Sequence, residues 1–303
     1  MGTLFRIKLY AAGEAEAQNG FRAAFDRVAQ LDAKLSDYNP ESELSRLSQT
    51  AVDRPVVVSD DVFTVLSTAQ SLARDTDGAF DITLGPVIRL WRVARKADRL
   101  PDPESLRRAG QLCGYQKLTL DANRHTVRMD RKGMQLDAGG IAKGFAADEA
   151  LAVLSKAGIT RALVAASGDL AFSEPPPRKK GWTIGVDSLD DAHAPFTKII
   201  VLANGAVSTS GDTEQYLNAA GKRYSHIIDP KTYLGLTNRI STTVVAPKGI
   251  IADALATAVC VLGERRGLAY MDRQPNASAL IVSKASTVPV VVQSSQFHRL
   301  FGP

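Results

Sequence analysis

The stretch that most constrains this chain runs from Leu136 to Leu151 and reads LDAGGIAKGFAADEAL. Asp137 stands at the end of a strand-like segment. Gly139, Gly140, Lys143 and Gly144 follow, and an alanine-rich segment of helical character closes the string. A glycine-rich turn that opens a helix presents backbone N–H groups without intrahelical partners and the positive end of the helix dipole. Phosphate binds naturally there, and a lysine in the turn adds a point charge for the same anion. The plainer reading is a strand-to-helix turn with a solvated lysine. The string is not a Walker A loop, whose lysine follows the second glycine of G-x-x-x-x-G-K-[ST], and it is not G-x-G-x-x-G.

Charge and cysteine content narrow the function classes. The 303 residues carry 37 basic and 32 acidic side chains, a net charge of +5. That excess suits a small polyanionic ligand. It is too diffuse for nucleic acid, and no arginine-rich stripe with interleaved aromatics is present. Arg178-Lys179-Lys180 follows three prolines and reads as a solvated loop tip. The two cysteines, Cys113 and Cys260, supply neither a metal-ligand spacing nor a disulfide framework. Cys260, inside AVCVLG, reads as a buried thiol. No apolar run reaches about 18 residues, so no membrane span is expected. The opening MGTLFRIKLY alternates Phe5, Ile7 and Leu9 with Arg6 and Lys8, a strand from the first residues on.

Helical spacing covers 13–36. Asn39-Pro40 then breaks the chain, and Ser42-Glu43-Leu44 starts a short helix. Tyr38, in the loop between, is either a lid on the core or a ring that stacks on a planar ligand. A capped helix follows over 59–75. It leads into AFDITLGPVIRLW, where Asp81 and Thr83 either cap the next helix or line a site. A short helix at 102–114, a hairpin joining 117–120 to 126–129, and strands at 134–137, 162–166, 182–186, 198–202, 240–246, 279–282 and 288–292 complete the outline. His226 falls in the strand-like run 224–228. A lone strand histidine is commonly structural, but Asp229 lies close behind it and Asp212 in the loop before, so His226 and Asp212 are the catalytic candidates. In the apolar helix IIADALATAVCVLG, Asp253 and Thr257 stand four apart on one face. Spacing alone favours a carboxylate that complements the helix N-terminus; the same pair also makes two hard oxygen ligands of the kind Mg²⁺ uses with water and phosphate.

These strings occur in a fixed order: MGT at 1–3, SDYNPESELSRL at 36–47, AFDITLGPVIRLW at 79–91, LDAGGIAKGFAAD at 136–148, SGD at 167–169, STSGD at 208–212, YSHIIDP at 224–230 and ADALATA at 252–258. In that order the chain resembles the ApbE family of flavin transferases over nearly its whole length. The resemblance implies an activity similar to FAD:protein FMN transfer, in which Mg²⁺ assists cleavage of the FAD pyrophosphate. FMN is joined through its phosphate to a threonine or serine hydroxyl of an acceptor protein, and AMP leaves. Family acceptors include subunits of membrane redox pumps of the sodium-translocating NADH:quinone reductase (Nqr) and Rnf types. Some relatives act as FAD pyrophosphatases, and a non-catalytic FAD-binding or delivery protein is the reading without turnover.

Carried over by position, the resemblance implies that Tyr38 packs on the flavin or adenine face and that Met1 touches the same ligand. Ala79, Phe80 and Asp81 form a second flavin-contacting loop. Asp137 holds polar groups of the nucleotide, Lys143 the pyrophosphate, and Ile227 supplies a backbone contact. The Gly140 carbonyl, Asp253 and Thr257 match the Mg²⁺ ligands, which overrides the capping preference. His226 matches the family's proposed catalytic histidine, as general base on the acceptor hydroxyl or as the group that first takes the FMN phosphoryl.

Short strands alternating with helices, with several hairpins, predict an α+β fold of largely antiparallel sheet. The resemblance implies a T-fold-like core as a single domain over 1–303. Exported family members carry a leader before the MGT motif. The expectation is therefore an exported protein, periplasmic or on the outer side of the inner membrane, whose true start lies upstream, with a cytoplasmic member as the alternative.

Overall fold

The computed structural model describes residues 2–52, 54–186, 189, 198–211, 215–284 and 289–297. Met1 and Asp212, both expected in the site, lie outside the described residues. In chain order the helices are α1 (Glu14–Leu35), α2 (Glu43–Thr50), α3 (Asp60–Asp75), α4 (Gly85–Lys96), α5 (Pro103–Gly110), α6 (Ala142–Lys156) and α7 (Gly249–Met271). The strands are β1 (Phe5–Tyr10), β2 (Val56–Val57), β3 (Leu118–Asp121), β4 (Thr126–Met129), β5 (Arg161–Ala166), β6 (Asp169–Phe172), β7 (Trp182–Val186) and β8 (Lys198–Leu202). They continue with β9 (Gly205–Gly211), β10 (Tyr216–Ala219), β11 (Lys222–Ser225), β12 (Arg239–Ala246), β13 (Ser278–Lys284) and β14 (Val290–Gln293). Among the described residues, no helix is long and apolar enough to cross a membrane.

Backbone contacts gather the chain into two compact units interleaved in sequence. The first comprises Met1–Gln30, Ile141–Thr213 and Arg239–Pro303; the second comprises Leu31–Gly140 and Glu214–Asn238.

The first unit is built on a sheet of order β1-β5-β6-β9-β12-β13-β14, with every pairing antiparallel. Helix α6 packs on β5 and β6, and α7 packs on β9, β12 and α6. Alternate residues of the same strands serve a second cluster, in which Phe172, Val207, Val245 and Leu280 meet Trp182 and Ile184 of β7 and Ile200 and Leu202 of β8. Strand β12 is thus buried on both faces from Ile240 to Ala246, its hydroxyl residues Ser241, Thr242 and Thr243 included. Each large apolar side chain so buried contributes about 1.5–3 kcal/mol.

The second unit carries the sheet β2-β4-β3, the hairpin β10–β11 and helices α2 to α5. Its core joins Leu84, Val87 and Trp91 to Leu106, Ala109 and Cys113 and to Leu217, Tyr224 and Ile228. Ser42 caps α2 by accepting from Ser45 N–H at 3.0 Å, and Asp102 caps α5 by accepting from Ser105 N–H at 2.8 Å. Ser59 precedes α3 without capping it, because its hydroxyl donates instead to Glu43 Oε2 at 2.7 Å.

The α+β class and the antiparallel sheets are as expected. Two local expectations are corrected. Segment 134–137 joins no strand ladder: Gln135 makes one parallel bridge to Leu84, and Asp137 N–H donates to Ile82 O at 2.8 Å, so a loop supplies its partners. His226 is not inside a strand, since β11 ends at Ser225. At Gly263, whose φ of +73° and ψ of 173° are not helical, the first stretch of α7 ends as expected, and beyond that kink a second helical stretch runs to Met271.

Candidate active site

In the first unit the central motif opens α6, and its neighbour is the start of α7. The two N-termini cross at glycines. A Cβ on Gly144 would lie 2.0 Å from the Gly249 carbonyl oxygen, and one on Gly249 would lie 2.5 Å from the Gly144 carbonyl oxygen. Each helix then caps the other. Asp148 of α6 accepts from Gly249 N–H at 2.7 Å and Ile250 N–H at 3.0 Å. Asp253 of α7 accepts from Gly144 N–H at 3.0 Å. The capping reading of Asp253 therefore holds in altered form: the helix it caps is α6, not its own.

Lys143 lies beside this crossing. Its ammonium donates to Asp169 Oδ2 at 2.5 Å and stands 3.3 Å from Asp253 Oδ1. Asp169 also accepts from the Ser208 hydroxyl. Asp253 is 1 % exposed and Asp169 3 %. Burial and the like charge of Asp169 push the Asp253 carboxyl up, against Lys143. Burial opposes the charge of Lys143, but Asp253 and Asp169 together hold its ammonium above the ordinary lysine value. Thr257, one turn beyond Asp253, places Oγ1 3.2 Å from Ser210 Oγ. The group amounts to two buried carboxylates sharing one ammonium, with hydroxyls alongside.

Such a donor set fits Mg²⁺. Its atoms are hard oxygens, and its carboxylate charge exceeds what one lysine offsets. Among the described residues no group of three or more His, Cys, Asp or Glu forms a closed cage. Mg²⁺ ordinarily uses one or two carboxylates and completes its shell with water and phosphate oxygens.

In the second unit Tyr38 is 68 % exposed. The Arg92 guanidinium lies 4.2 Å from its ring centroid, a cation–π arrangement. Arg92 also pairs with Asp37 and, at 2.7 Å, with Asp137 Oδ2. The other Asp137 oxygen accepts from Gly139 N–H at 2.9 Å. Burial and the neighbouring Asp37 push the Asp137 carboxyl up, against Arg92. Gly140 follows, half-buried, in the turn before α6.

Ala79 and Phe80 are buried, and Asp81 behaves as a structural latch. Its Oδ1 accepts from Thr83 N–H at 2.8 Å and Thr83 Oγ1 at 2.6 Å, and its Oδ2 accepts from Tyr115 N–H at 2.9 Å. Thr83 Oγ1 in turn accepts from Gly114 N–H at 2.7 Å. Neither side chain caps α4, whose N-cap residue is Leu84. Burial raises the Asp81 carboxyl despite these bonds.

His226 sits one residue past β11, opposite Gln215 one residue before β10. The Gln215 carbonyl accepts from His226 N–H at 3.0 Å and is 3.1 Å from the ring Nδ1. A carbonyl only accepts, so Nδ1 carries the proton of the neutral ring and Nε2 carries the lone pair. Ile227 donates its N–H to Ser225 Oγ at 3.0 Å, and its carbonyl accepts from Leu236 N–H at 2.9 Å. Tyr233 pins the loop after them. It adopts φ +60°, accepts from Trp91 Nε1 at 2.9 Å and donates its hydroxyl to Gly110 O at 3.1 Å.

Lys143 and Asp253 thus meet in the first unit, with Thr257 one turn along α7, while Tyr38, Asp137, Asp81 and His226 belong to the second. Asp169, Ser208, Asp148, Arg92 and Gln215 carry no role in the sequence reading. Asp148 ends the LDAGGIAKGFAAD string, Asp169 ends SGD and Ser208 opens STSGD, so all three are motif members. Arg92 and Gln215 have no sequence signal.

The fold is that of the flavin transferases. The structure matches the flavin transferase ApbE of Vibrio cholerae with a TM-score of 0.88 at 31% identity, over 99% of this chain and 96% of that one. It matches the apo flavinyl transferase ApbE of Pseudomonas stutzeri with a TM-score of 0.87 at 30% identity, over 100% and 95%. The chain belongs to the ApbE family, whose model matches residues 1–281, and is an enzyme. Among its relatives, the FAD:protein FMN transferase of Haemophilus influenzae is 31% identical, covering 99% of this chain and 89% of that protein. That of Treponema pallidum is 32% identical, covering 93% and 82%.

Proposed function

We propose that this protein transfers FMN from FAD to a threonine or serine hydroxyl of an acceptor protein, with Mg²⁺, releasing AMP. The observation that carries the reading is the Lys143 ammonium shared by the buried carboxylates Asp169 and Asp253, with the Thr257 hydroxyl one turn on. This set would hold a divalent cation through Asp253 and Thr257, with the Gly140 carbonyl as the third protein ligand. When bound, the ion offsets pyrophosphate charge and polarises the phosphorus under attack.

The chain's own residues supply the remainder. Lys143 binds the pyrophosphate oxygens. Tyr38 offers a ring face to the flavin or adenine, and Met1 and the segment from Ala79 to Asp81 line the same ligand. Asp137 orients polar groups of the nucleotide, and Ile227 contributes a backbone contact. His226, with its lone pair on Nε2, takes the proton of the acceptor hydroxyl as the oxygen attacks the FMN phosphorus. The bond from that phosphorus to the AMP oxygen breaks, and AMP leaves with the electron pair. Phosphoryl transfer depends mostly on positioning and charge neutralisation, so Asp253 matters as much as His226. Asp212 is assigned a supporting catalytic role by its motif alone. On the family resemblance, the acceptor is a subunit of a membrane redox pump, the reaction takes place on the exported side of the inner membrane, and 1–303 acts as one flavin transferase domain.

The test uses purified protein, FAD, Mg²⁺ and a candidate acceptor domain, following AMP release and acceptor mass together. The expected outcome is an acceptor heavier by FMN with equimolar AMP, abolished by EDTA and reduced at least about a hundredfold by Asp253→Asn. AMP with free FMN and an unmodified acceptor, across several acceptor domains, would replace transfer by hydrolysis. Bound FAD with no AMP would leave a flavin carrier.

A further inference from the structure

We propose that Gln215 and Arg95 form a positioning pair that holds His226 with its proton on Nδ1 and its lone pair on Nε2. The inference rests on the reading of His226 as the base of the transfer. The β10–β11 hairpin pairs Tyr216 with Ser225, so the next rung outward sets Gln215 against His226. On that rung the Gln215 carbonyl accepts twice, from the His226 backbone N–H at 3.0 Å and from its ring Nδ1 at 3.1 Å. One carbonyl oxygen has two lone pairs and serves both. The ring is thereby folded back against the strand end that carries it.

What holds this carbonyl is the Gln215 side chain. Its Oε1 accepts from Arg95 Nη1 at 3.2 Å. Gln215 is otherwise exposed at the open end of the hairpin. Arg95 lies in the last turn of α4, whose Trp91 donates to the Tyr233 carbonyl in the loop that follows His226. Helix α4 therefore grips the histidine from both sides in sequence: through Arg95 on the strand before it and through Trp91 on the loop after it. Arg95 also lines a hollow of about 270 Å³ with Tyr38, Arg92 and Lys96, so the residue that steadies the base borders the aromatic ring assigned to the ligand.

A ring free in water prefers its proton on Nε2, so a histidine held as Nδ1–H has a distinct imidazole ¹⁵N signature. The experiment labels the full chain with ¹⁵N-histidine and records long-range ¹H–¹⁵N spectra above the histidine titration range, without FAD or metal. The sequence holds four histidines, and His226→Gln identifies the signal. Wild type is expected to show His226 as Nδ1–H. Gln215→Ala and Arg95→Ala are expected to move it to a tautomer mixture and to lower kcat about tenfold with KM for FAD within about twofold, since displacement of a reacting group lowers the rate of the step. Gln215→Glu, which keeps an oxygen acceptor for Arg95, is expected to restore both. A wild-type signal of the Nε2–H form overturns the proposal, as does an Nδ1–H signal unchanged in Gln215→Ala and Arg95→Ala. If His226→Gln retains transfer, the function assigned to His226 falls, while the tautomer spectra still decide whether Gln215 and Arg95 hold the ring.

Discussion

Lys143 is the residue on which the charge balance of the first unit turns. Its ammonium stands between Asp169 and Asp253. Replacing it with methionine leaves two buried carboxylates without a counter-charge, a change that costs about 3 kcal/mol or more when one member of a buried pair is removed. Lys143→Met is therefore expected to unfold at lower temperature than wild type and to transfer FMN at least about a hundredfold more slowly. Millimolar Mg²⁺ is expected to raise the melting temperature of the variant more than that of wild type, because the cation and the ammonium neutralise the same carboxylates. Thermal unfolding with and without Mg²⁺ at one pH checks this, and equal shifts in both proteins would mean that the ion binds elsewhere. The same residues show what was legible at this scale. Lys143, Asp253, Thr257 and His226 stood out because each falls within a short string whose spacing means something. Asp169 has no role in the sequence reading, because it lies 26 residues from Lys143 and no local pattern reports a contact between the start of a helix and a strand distant in sequence. Arg92 and Gln215 were silent for the same reason.

Among the elements, α6 and α7 depend on each other through their starts. Asp148 accepts two N–H groups at the head of α7, but burial dominates and pushes its carboxyl up to about 6. Between the unfolded value of 3.8 and that value, the native chain holds a proton that the unfolded chain has lost. This group's contribution is therefore full below the unfolded pKa and declines as pH rises through about 6, by roughly 3 kcal/mol at most. Asp148→Asn cannot titrate, so the stability of wild type relative to the variant is expected to fall between pH 4.5 and pH 7.5. Urea unfolding of both proteins at the two pH values measures it, and a relative gain by wild type would mean that the two N–H bonds and the α7 dipole outweigh burial. A second element prediction concerns the hairpin that bears His226. Its two-residue turn is Ala220-Gly221, with φ +50° and +71°. Alanine is costly there, whereas Asn-Gly is the preferred pair for such turns. Ala220→Asn is expected to stabilise the protein by about 1 kcal/mol, seen as a higher melting temperature with unchanged activity. Most elements were legible because periodicity and turn residues are local. Segment 134–137 was not: it is extended and apolar like a strand, but its partner is a loop. The end of the first stretch of α7 at Gly263 was legible, because a glycine at positive φ ends a helix, while the second stretch, to Met271, lies beyond the helix expected.

For the molecule as a whole, chain order decides when the sheet of the first unit can close. Strand β1 pairs with β5, whose register joins Phe5 to Ala166, and β9 pairs with β6 on one side and β12 on the other. The middle of the sheet therefore waits for residues from Arg239 onward, and the apolar helix α7 that covers β9 and β12 comes later still. A chain ending at 238 would leave β9 as an open edge and strip the cover from Ala206 and Ser208, both buried in the intact fold. An unpaired apolar edge is a template for aggregation. A chain ending at 284 keeps every central strand and loses β14, an edge strand whose Val290 and Val291 are already exposed, together with the buried Phe297 of the cluster that includes Leu280. The expectation is that the 1–238 chain is recovered insoluble, while the 1–284 chain stays soluble with native-like circular dichroism and a lower melting temperature. Expression of both, with the soluble fraction and the far-ultraviolet spectrum measured, separates two accounts. If the 1–238 chain were soluble and folded, the early strands would form a stable sheet without β12 and α7, and the long-range pairing would not organise the unit. If instead both truncations precipitate, β14 and the buried Phe297 after it contribute as much as the central strands, and the weight given to those strands is misplaced.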